Sequence, residues 1–136
     1  MRQPTFKGPV VFDSEGLSRV IRRDAYLRGV VTAAYLGKTP VRVSAVTLVE
    51  VSHPRMDRAA FDWVVSRLVV VPVTKELARQ ASALLEGARR HGHREALDAI
   101  VCATALSLGG HPTVYTSDKP DITALIGRGA SVIQLR

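Results

Sequence analysis

Five carboxylates in this chain stand where acids do chemistry. Asp98 makes the strongest demand. It is the single charge in Ala-Leu-Asp-Ala-Ile-Val-Cys-Ala-Thr-Ala-Leu-Ser-Leu, residues 96–108. A helix that is apolar on almost every side is buried. A carboxylate inside it needs a cation, a donor or a proton, because burying it unpaired costs several kcal/mol. Asp13 ends the apolar run Pro9-Val-Val-Phe, and Asp118 follows Thr113-Val-Tyr-Thr-Ser117. Glu50 lies one helical turn past Val41–Val46, and Asp121 stands three residues beyond Asp118. Clustered carboxylates repel and raise one another's pKa unless a cation neutralises them. An all-oxygen donor set suits Mg²⁺ or Mn²⁺ rather than zinc. Such an ion orients and deprotonates water and stabilises charge on a phosphate, so the reaction class is metal-assisted phosphodiester hydrolysis. Each acid also has a plainer role. Asp13 and Asp118 can cap strand–helix turns, Asp121 can be an N-cap, Glu50 can sit on an exposed helix face, and Asp98 can be protonated or paired with an Arg. Their coincidence at one edge favours the metal.

The elements that must bring them together are legible as short apolar runs alternating with helical patterns. Residues 9–13, 41–46, 69–73, 113–117 and 131–135 read as strands. Ser14 is expected to cap a helix through Leu17 and Val20. A second helix spans about 24–36, with Tyr26, Leu27, Val30, Val31, Ala34 and Tyr35 as its buried stripe and Gly37 and Pro40 beyond its end. Residues 47–52 turn helical until His53-Pro54 breaks them. Residues 56–68 form another helix, with Ala59, Ala60, Trp63, Val64 and Leu68 inward. Pro72 puts the third strand at a sheet edge. Thr74 caps a helix from Lys75 to about Arg90, with Leu77, Ala78, Ala81, Leu84, Leu85 and Ala88 facing in. A basic turn, Arg89–Arg94, enters the apolar helix, which Gly109-Gly110 stops. Residues 119–126 read as a last short helix that begins at Pro120 or Asp121. This alternation predicts an α/β sandwich with a mostly parallel sheet, and such sheets bind ligands at the carboxyl ends of their strands.

At 136 residues with 46% hydrophobic content, the chain has enough apolar mass for one domain with a real core, which excludes a disordered chain. No apolar run reaches the roughly 18 residues of a membrane span, and the first residues lack a secretory apolar stretch. Cys102 has no partner for an internal disulfide and reads as a small core residue. The expected location is therefore cytoplasmic, with no membrane association. The net charge is +7, from 19 Lys and Arg against 12 Asp and Glu. With five acids committed to one pocket, seven remain elsewhere, so the outer surface is more basic than the net charge states. A basic surface around an acidic, metal-loaded hole is what cutting a nucleic acid requires. Arg22, Arg23, Arg89, Arg90 and Arg94 are candidate contacts to the phosphates of a nucleic acid, with solvated helix ends as the alternative. The aromatic residues are Phe6, Phe12, Phe61, Trp63 and three Tyr, most of them on inferred core faces, which leaves no base-stacking platform. No His has a nucleophile partner, so Ser–His–Asp chemistry is excluded.

Four segments, in this order, also carry a family resemblance. They are Val-Val-Phe-Asp13-Ser14-Glu-Gly-Leu, Ser44-Ala-Val-Thr-Leu-Val-Glu50-Val, Ala96-Leu-Asp98-Ala-Ile-Val-Cys-Ala-Thr-Ala-Leu106 and Val114-Tyr-Thr-Ser-Asp118-Lys-Pro-Asp121. Over nearly its whole length the chain resembles the PIN domains and, within them, the single-domain VapC-like toxins. The resemblance implies a three-layer α/β/α sandwich with sheet order 3-2-1-4-5. It implies a Mg²⁺- or Mn²⁺-dependent ribonuclease whose acids are Asp13, Glu50, Asp98 and Asp118, with Asp121 as a frequent fifth. Ser14 and Ser117 match positions that often carry a hydroxyl beside those acids. It further implies a small VapB-like antitoxin that blocks the site, and a homodimer. Other readings stay open. One is a non-cleaving RNA- or partner-binding module of the same fold, another a PIN nuclease with a housekeeping role in RNA processing, a third a structure-specific DNA nuclease. A phospho-acceptor receiver would use Lys119, but leaves Asp98 unexplained.

Overall fold

The computed structural model describes residues 8–136, so Phe6 and the reading of the first seven residues lie outside the described residues. The chain runs β1 (Val10–Phe12), α1 (Ser14–Ile21), α2 (Ala25–Leu36), β2 (Arg42–Ser44), α3 (Ala45–Val51), α4 (Arg58–Val65) and β3 (Val69–Val71). It continues with α5 (Lys75–Ala88), α6 (His93–Ser107), β4 (Thr113–Thr116), α7 (Lys119–Ile126), a short turn at Gly127–Gly129 and β5 (Ser131–Gln134). The strands form one sheet in the order β3-β2-β1-β4-β5. The expected order is present, and every pairing is parallel.

Alternation along the central strand builds the layers. Val10 and Phe12 pack with α1, α2 and α4 on one face, and Val11 packs with α5, α6 and α7 on the other. In β4, Tyr115 joins the first core and Val114 the second. A strand buried on both faces must read as an unbroken apolar run, which is why residues 10–12 carry no polar side chain. The Phe12 and Tyr115 rings meet edge to face with centroids 5.4 Å apart. Among the described residues, no helix is long and apolar enough to cross a membrane.

Several local expectations are corrected. Asp13, not Ser14, caps α1; Ser14 is the helix's first residue. The second strand ends at Ser44, whose hydroxyl accepts from the Val46 N–H and turns residues 45–46 into helix. Asp57 caps α4, which shortens the expected 56–68 helix to Arg58–Val65. Only Ala60 and Val64 of its expected inward face are fully buried. On α2 the buried stripe is Leu27, Val30, Val31 and Ala34. Tyr26 and Tyr35 are 51% and 47% exposed. The Tyr35 ring instead carries the Arg67 guanidinium, 5.8 Å from its centroid. Helix α5 ends at Ala88, before Arg90, with Arg89 in the left-handed conformation that closes it. Leu77 and Ala81 are buried there, while Ala78 is exposed. The apolar helix α6 is fully buried only along its middle, and Leu106 is exposed near its end. Cys102 is a core residue as expected, its thiol pushed up to about 12 by burial.

Candidate functional site

Asp13, Ser14, Glu50, Arg94, Asp98, Ser117 and Asp118 line one pocket of about 90 Å³, walled by Leu97 and Val101. Four of the five candidate acids thus come to the carboxyl edge of the sheet from four separate segments. Asp13 stands at the tip of β1, buried to 8% exposure. Its Oδ1 accepts from the Gly16 N–H at 2.9 Å, capping α1, and its Oδ2 accepts from the Ser117 N–H at 3.2 Å. One carboxylate therefore ties the central strand to the loop after β4. Burial pushes its pKa up, against the pull of those backbone donors and the Thr116 hydroxyl. Thr116 is itself buried, and its Oγ1 accepts from the Asp118 N–H at 2.9 Å.

Glu50 lies on α3 and is an exposed residue, yet its carboxyl end faces the pocket. Desolvation there raises its pKa, the Asp13 charge adds to the rise, and a hydrogen bond with Ser14 opposes it. Asp98 projects from α6 and is half-buried. Burial, then the charges of Asp118, Asp121 and Asp13, push its pKa up to about 6, while Arg94 pulls it down. Arg94 and Asp98 are four residues apart on α6, hence on one face.

Asp121 does not line the pocket. Its carboxylate pairs with Arg90 at 2.6 Å, and that guanidinium, then a hydrogen bond with Asp118, hold its pKa below the ordinary value. The candidate arginines also part company. Arg94 lines the acid pocket, Arg90 is committed to Asp121, Arg89 closes α5, and Arg22 and Arg23 line a different pocket. The pocket charge of Arg94 and the walls Leu97 and Val101 were not assigned from sequence; the four-residue spacing from Arg94 to Asp98 was the available signal.

Among the described residues, no three Asp, Glu, His or Cys side chains stand close enough to hold one metal ion between them. The four acids line one pocket without three of them converging on a single point. In donor chemistry the pocket fits a hard divalent cation, because its anionic lining is all oxygen and three of its acids carry raised pKa values.

Asp13 also has a structural duty that can be measured. Asp13→Ala orphans two backbone N–H groups and should lower stability by about 1–2 kcal/mol in urea melts. Asp13→Asn keeps an acceptor for one of the two N–H groups and removes a desolvated charge, so its loss should be smaller than that of Asp13→Ala. Equal losses in both variants would show that the strand tip needs both carboxylate oxygens.

No protein-family model and no curated protein sequence matches the chain. Solved structures do match. A chain of the VapBC2 complex from Rickettsia felis, crystallised with a DNA fragment from its promoter, superposes with a TM-score of 0.71 at 11% identity, over 93% of this chain and 98% of that one. A chain of DNA-bound VapBC from Salmonella typhimurium gives 0.69 at 17% identity, over 93% and 97%. A chain of FitAcB from Neisseria gonorrhoeae gives 0.52 at 20%, over 92% and 96%. The chain has a PIN-like fold. In this PIN-like fold β1 has β2 on one side and β4 on the other. The acid pocket opens beside that strand, at the switch point where open α/β sheets bind ligands.

Proposed function

We propose that this chain is a Mg²⁺- or Mn²⁺-dependent endoribonuclease, the toxin of a toxin–antitoxin pair. The observation that carries the activity is the convergence of Asp13, Glu50, Asp98 and Asp118 on one small pocket at the strand ends. These four would hold the ion, directly or through water, and Asp121 would act from outside the pocket through Asp118 and Arg90. When bound, such an ion activates water and stabilises charge on the phosphate and its leaving oxygen. The chain's own residues supply the rest. Backbone donors fix Asp13 in place, Ser14 orients Glu50, and Arg94 gives the pocket its cation toward a phosphate. Leu97 and Val101 exclude water on the α6 side.

The toxin role and the partners rest on the fold neighbours, which are chains of VapBC complexes and of FitAcB. By that likeness the chain would pair with a VapB-like antitoxin covering the acid pocket, assemble as a homodimer, and work on RNA in the cytoplasm. The test is incubation with structured RNA and either metal, against the same reaction in EDTA. Cleavage with Mg²⁺ or Mn²⁺, its loss in EDTA and its return on adding metal are expected. RNA that binds equally with and without metal and is never cut would make the chain a non-catalytic RNA-binding module instead.

A further inference from the structure

A second pocket, of about 240 Å³, opens where the C-terminal half of α1 meets the segment between α3 and α4. Its apolar surface comes from Ile21, Val51 and Met56, and its charge from Arg22, Arg23 and Arg55 against one acid, Asp57. We propose that this pocket is a subsite for single-stranded RNA, holding the phosphate and ribose of nucleotides next to the one in the acid pocket. The proposal rests on the nuclease reading for its substrate class.

Shared helices carry the inference. Helix α1 offers Ser14 to the acid pocket and Ser18, Ile21 and Arg22 to the basic one. Helix α3 offers Glu50 to the first and Val51 to the second. Ser18 is one helical turn from Ser14, about 6 Å along the axis, and Arg22 is one turn farther. A strand that seats a phosphate among the acids and runs along α1 therefore reaches the arginines within neighbouring nucleotides.

The arginines are available. Arg22 pairs with Glu15 at 3.2 Å and donates to the Ser18 hydroxyl at 2.9 Å, and Arg23 pairs with Asp57 at 3.4 Å; both arginines are more than 60% exposed. Exposed pairs of that kind contribute little and yield to a phosphate, which takes a guanidinium in bidentate fashion. Asp57 is already occupied as the cap of α4, through the Ala60 N–H. Among the described residues the Arg55 side chain has no ion-pair or hydrogen-bond partner. The His53 Nδ1 accepts from the Arg55 backbone N–H, which leaves Nε2 of the neutral ring as a donor. Guanidinium forks beside an apolar floor suit a sugar-phosphate, whose charge and ribose face are satisfied together.

The experiment compares the parent with Arg22→Ala/Arg55→Ala and with a control of equal charge loss, Arg79→Ala/Arg128→Ala, at exposed positions outside the pocket. A short fluorescent single-stranded RNA is titrated in EDTA, so that binding is read without cleavage, over a series of salt concentrations. The pocket variant should bind about tenfold more weakly, and its slope of log K against log salt should shrink by about 1.4, the value for two lost phosphate contacts on a single strand. The control should change far less, and thermal melts should show all three proteins folded. Equal weakening in both double variants, or an unchanged slope in the pocket variant, overturns the subsite. So does unchanged RNA binding with lost binding of poly-glutamate, which would assign the pocket to an acidic polypeptide. Failure of the two readings is distinguishable. Binding that depends on the pocket without any metal-dependent cleavage removes the nuclease and keeps the subsite, whereas cleavage with an indifferent pocket does the reverse.

Discussion

Asp98→Asn will slow metal-dependent RNA cleavage by at least about a hundredfold while raising the melting temperature at pH 7.5. The first effect follows from taking a charged oxygen from the set proposed to hold the ion. Metal stabilisation of a phosphoryl transition state amounts to several kcal/mol, and each 1.36 kcal/mol is about a factor of ten. The second follows from the electrostatics of the metal-free pocket. Asp98 has a folded pKa of about 6 against an ordinary 3.8, so the folded chain holds its proton more tightly than the unfolded chain. The stability that this proton contributes is fully present below about pH 4 and is lost as pH rises through about 6. At pH 7.5 the ionised group opposes folding, and a neutral amide of the same shape removes that opposition. Asp98 is half-exposed, so screening keeps the gain to a few degrees. The difference between the two melting curves should open between pH 4 and 6 and close below it. Calorimetry across that range together with an RNA cleavage assay at pH 7.5 checks both effects. A lower melting temperature would mean that the carboxylate is needed structurally, and an undiminished rate would mean that the pocket is not the catalytic site.

That pairing of lost activity with gained stability marks which parts of the site could be read without coordinates. Asp13 and Asp118 were legible because a parallel sheet exposes the one or two residues after each buried strand, and the strands announce themselves as apolar runs. Asp98 was legible because nothing else in 96–108 is charged. Glu50 followed from the helix that begins after β2. What escaped was whatever depends on which neighbour arrives from elsewhere. Asp13 and Ser14 are both good caps, and the choice fell to Asp13 because its second oxygen also meets the Ser117 N–H across the sheet edge. Tyr26 and Tyr35 fit the α2 period but sit at the margins of its stripe. One reaches the Tyr115 hydroxyl at 3.5 Å and the other lies under Arg67. Asp121 is neither in the pocket nor the cap of α7, which Asp118 starts; it turns to Arg90, a partner 31 residues away that no local pattern names. The basic pocket needs α1 packed against the segment after α3, so residues scattered over 18–57 gave no linear sign of it.

Mn²⁺ will stabilise the parent at pH 7.5, and this stabilisation will fade as pH falls through about 6. Like-charged acids held apart around one pocket leave repulsion in the metal-free fold, and a divalent cation relieves it. A ligand at about a hundredfold excess over its dissociation constant stabilises the folded state by about 2.7 kcal/mol, which for a chain of this size raises the melting temperature on the order of ten degrees. To bind the ion, Asp98 must give up its proton, so below about pH 6 the apparent affinity should fall about tenfold per pH unit for that one proton. Burial raises the pKa of Glu50 and Asp13 as well, so proton competition at those two acids acts in the same direction. Raising the Mn²⁺ concentration at pH 5.5 should then recover both the melting temperature and the cleavage rate, because mass action offsets proton competition. In Asp98→Asn the shift on adding metal should shrink at every pH and lose its midpoint near 6. A parent melting curve indifferent to Mn²⁺ would separate the acids from metal binding altogether, and an unaltered shift in the Asn variant would place the ion away from α6. The same carboxylates that weaken the empty fold are thus the ones that make its affinity for a divalent ion depend on pH.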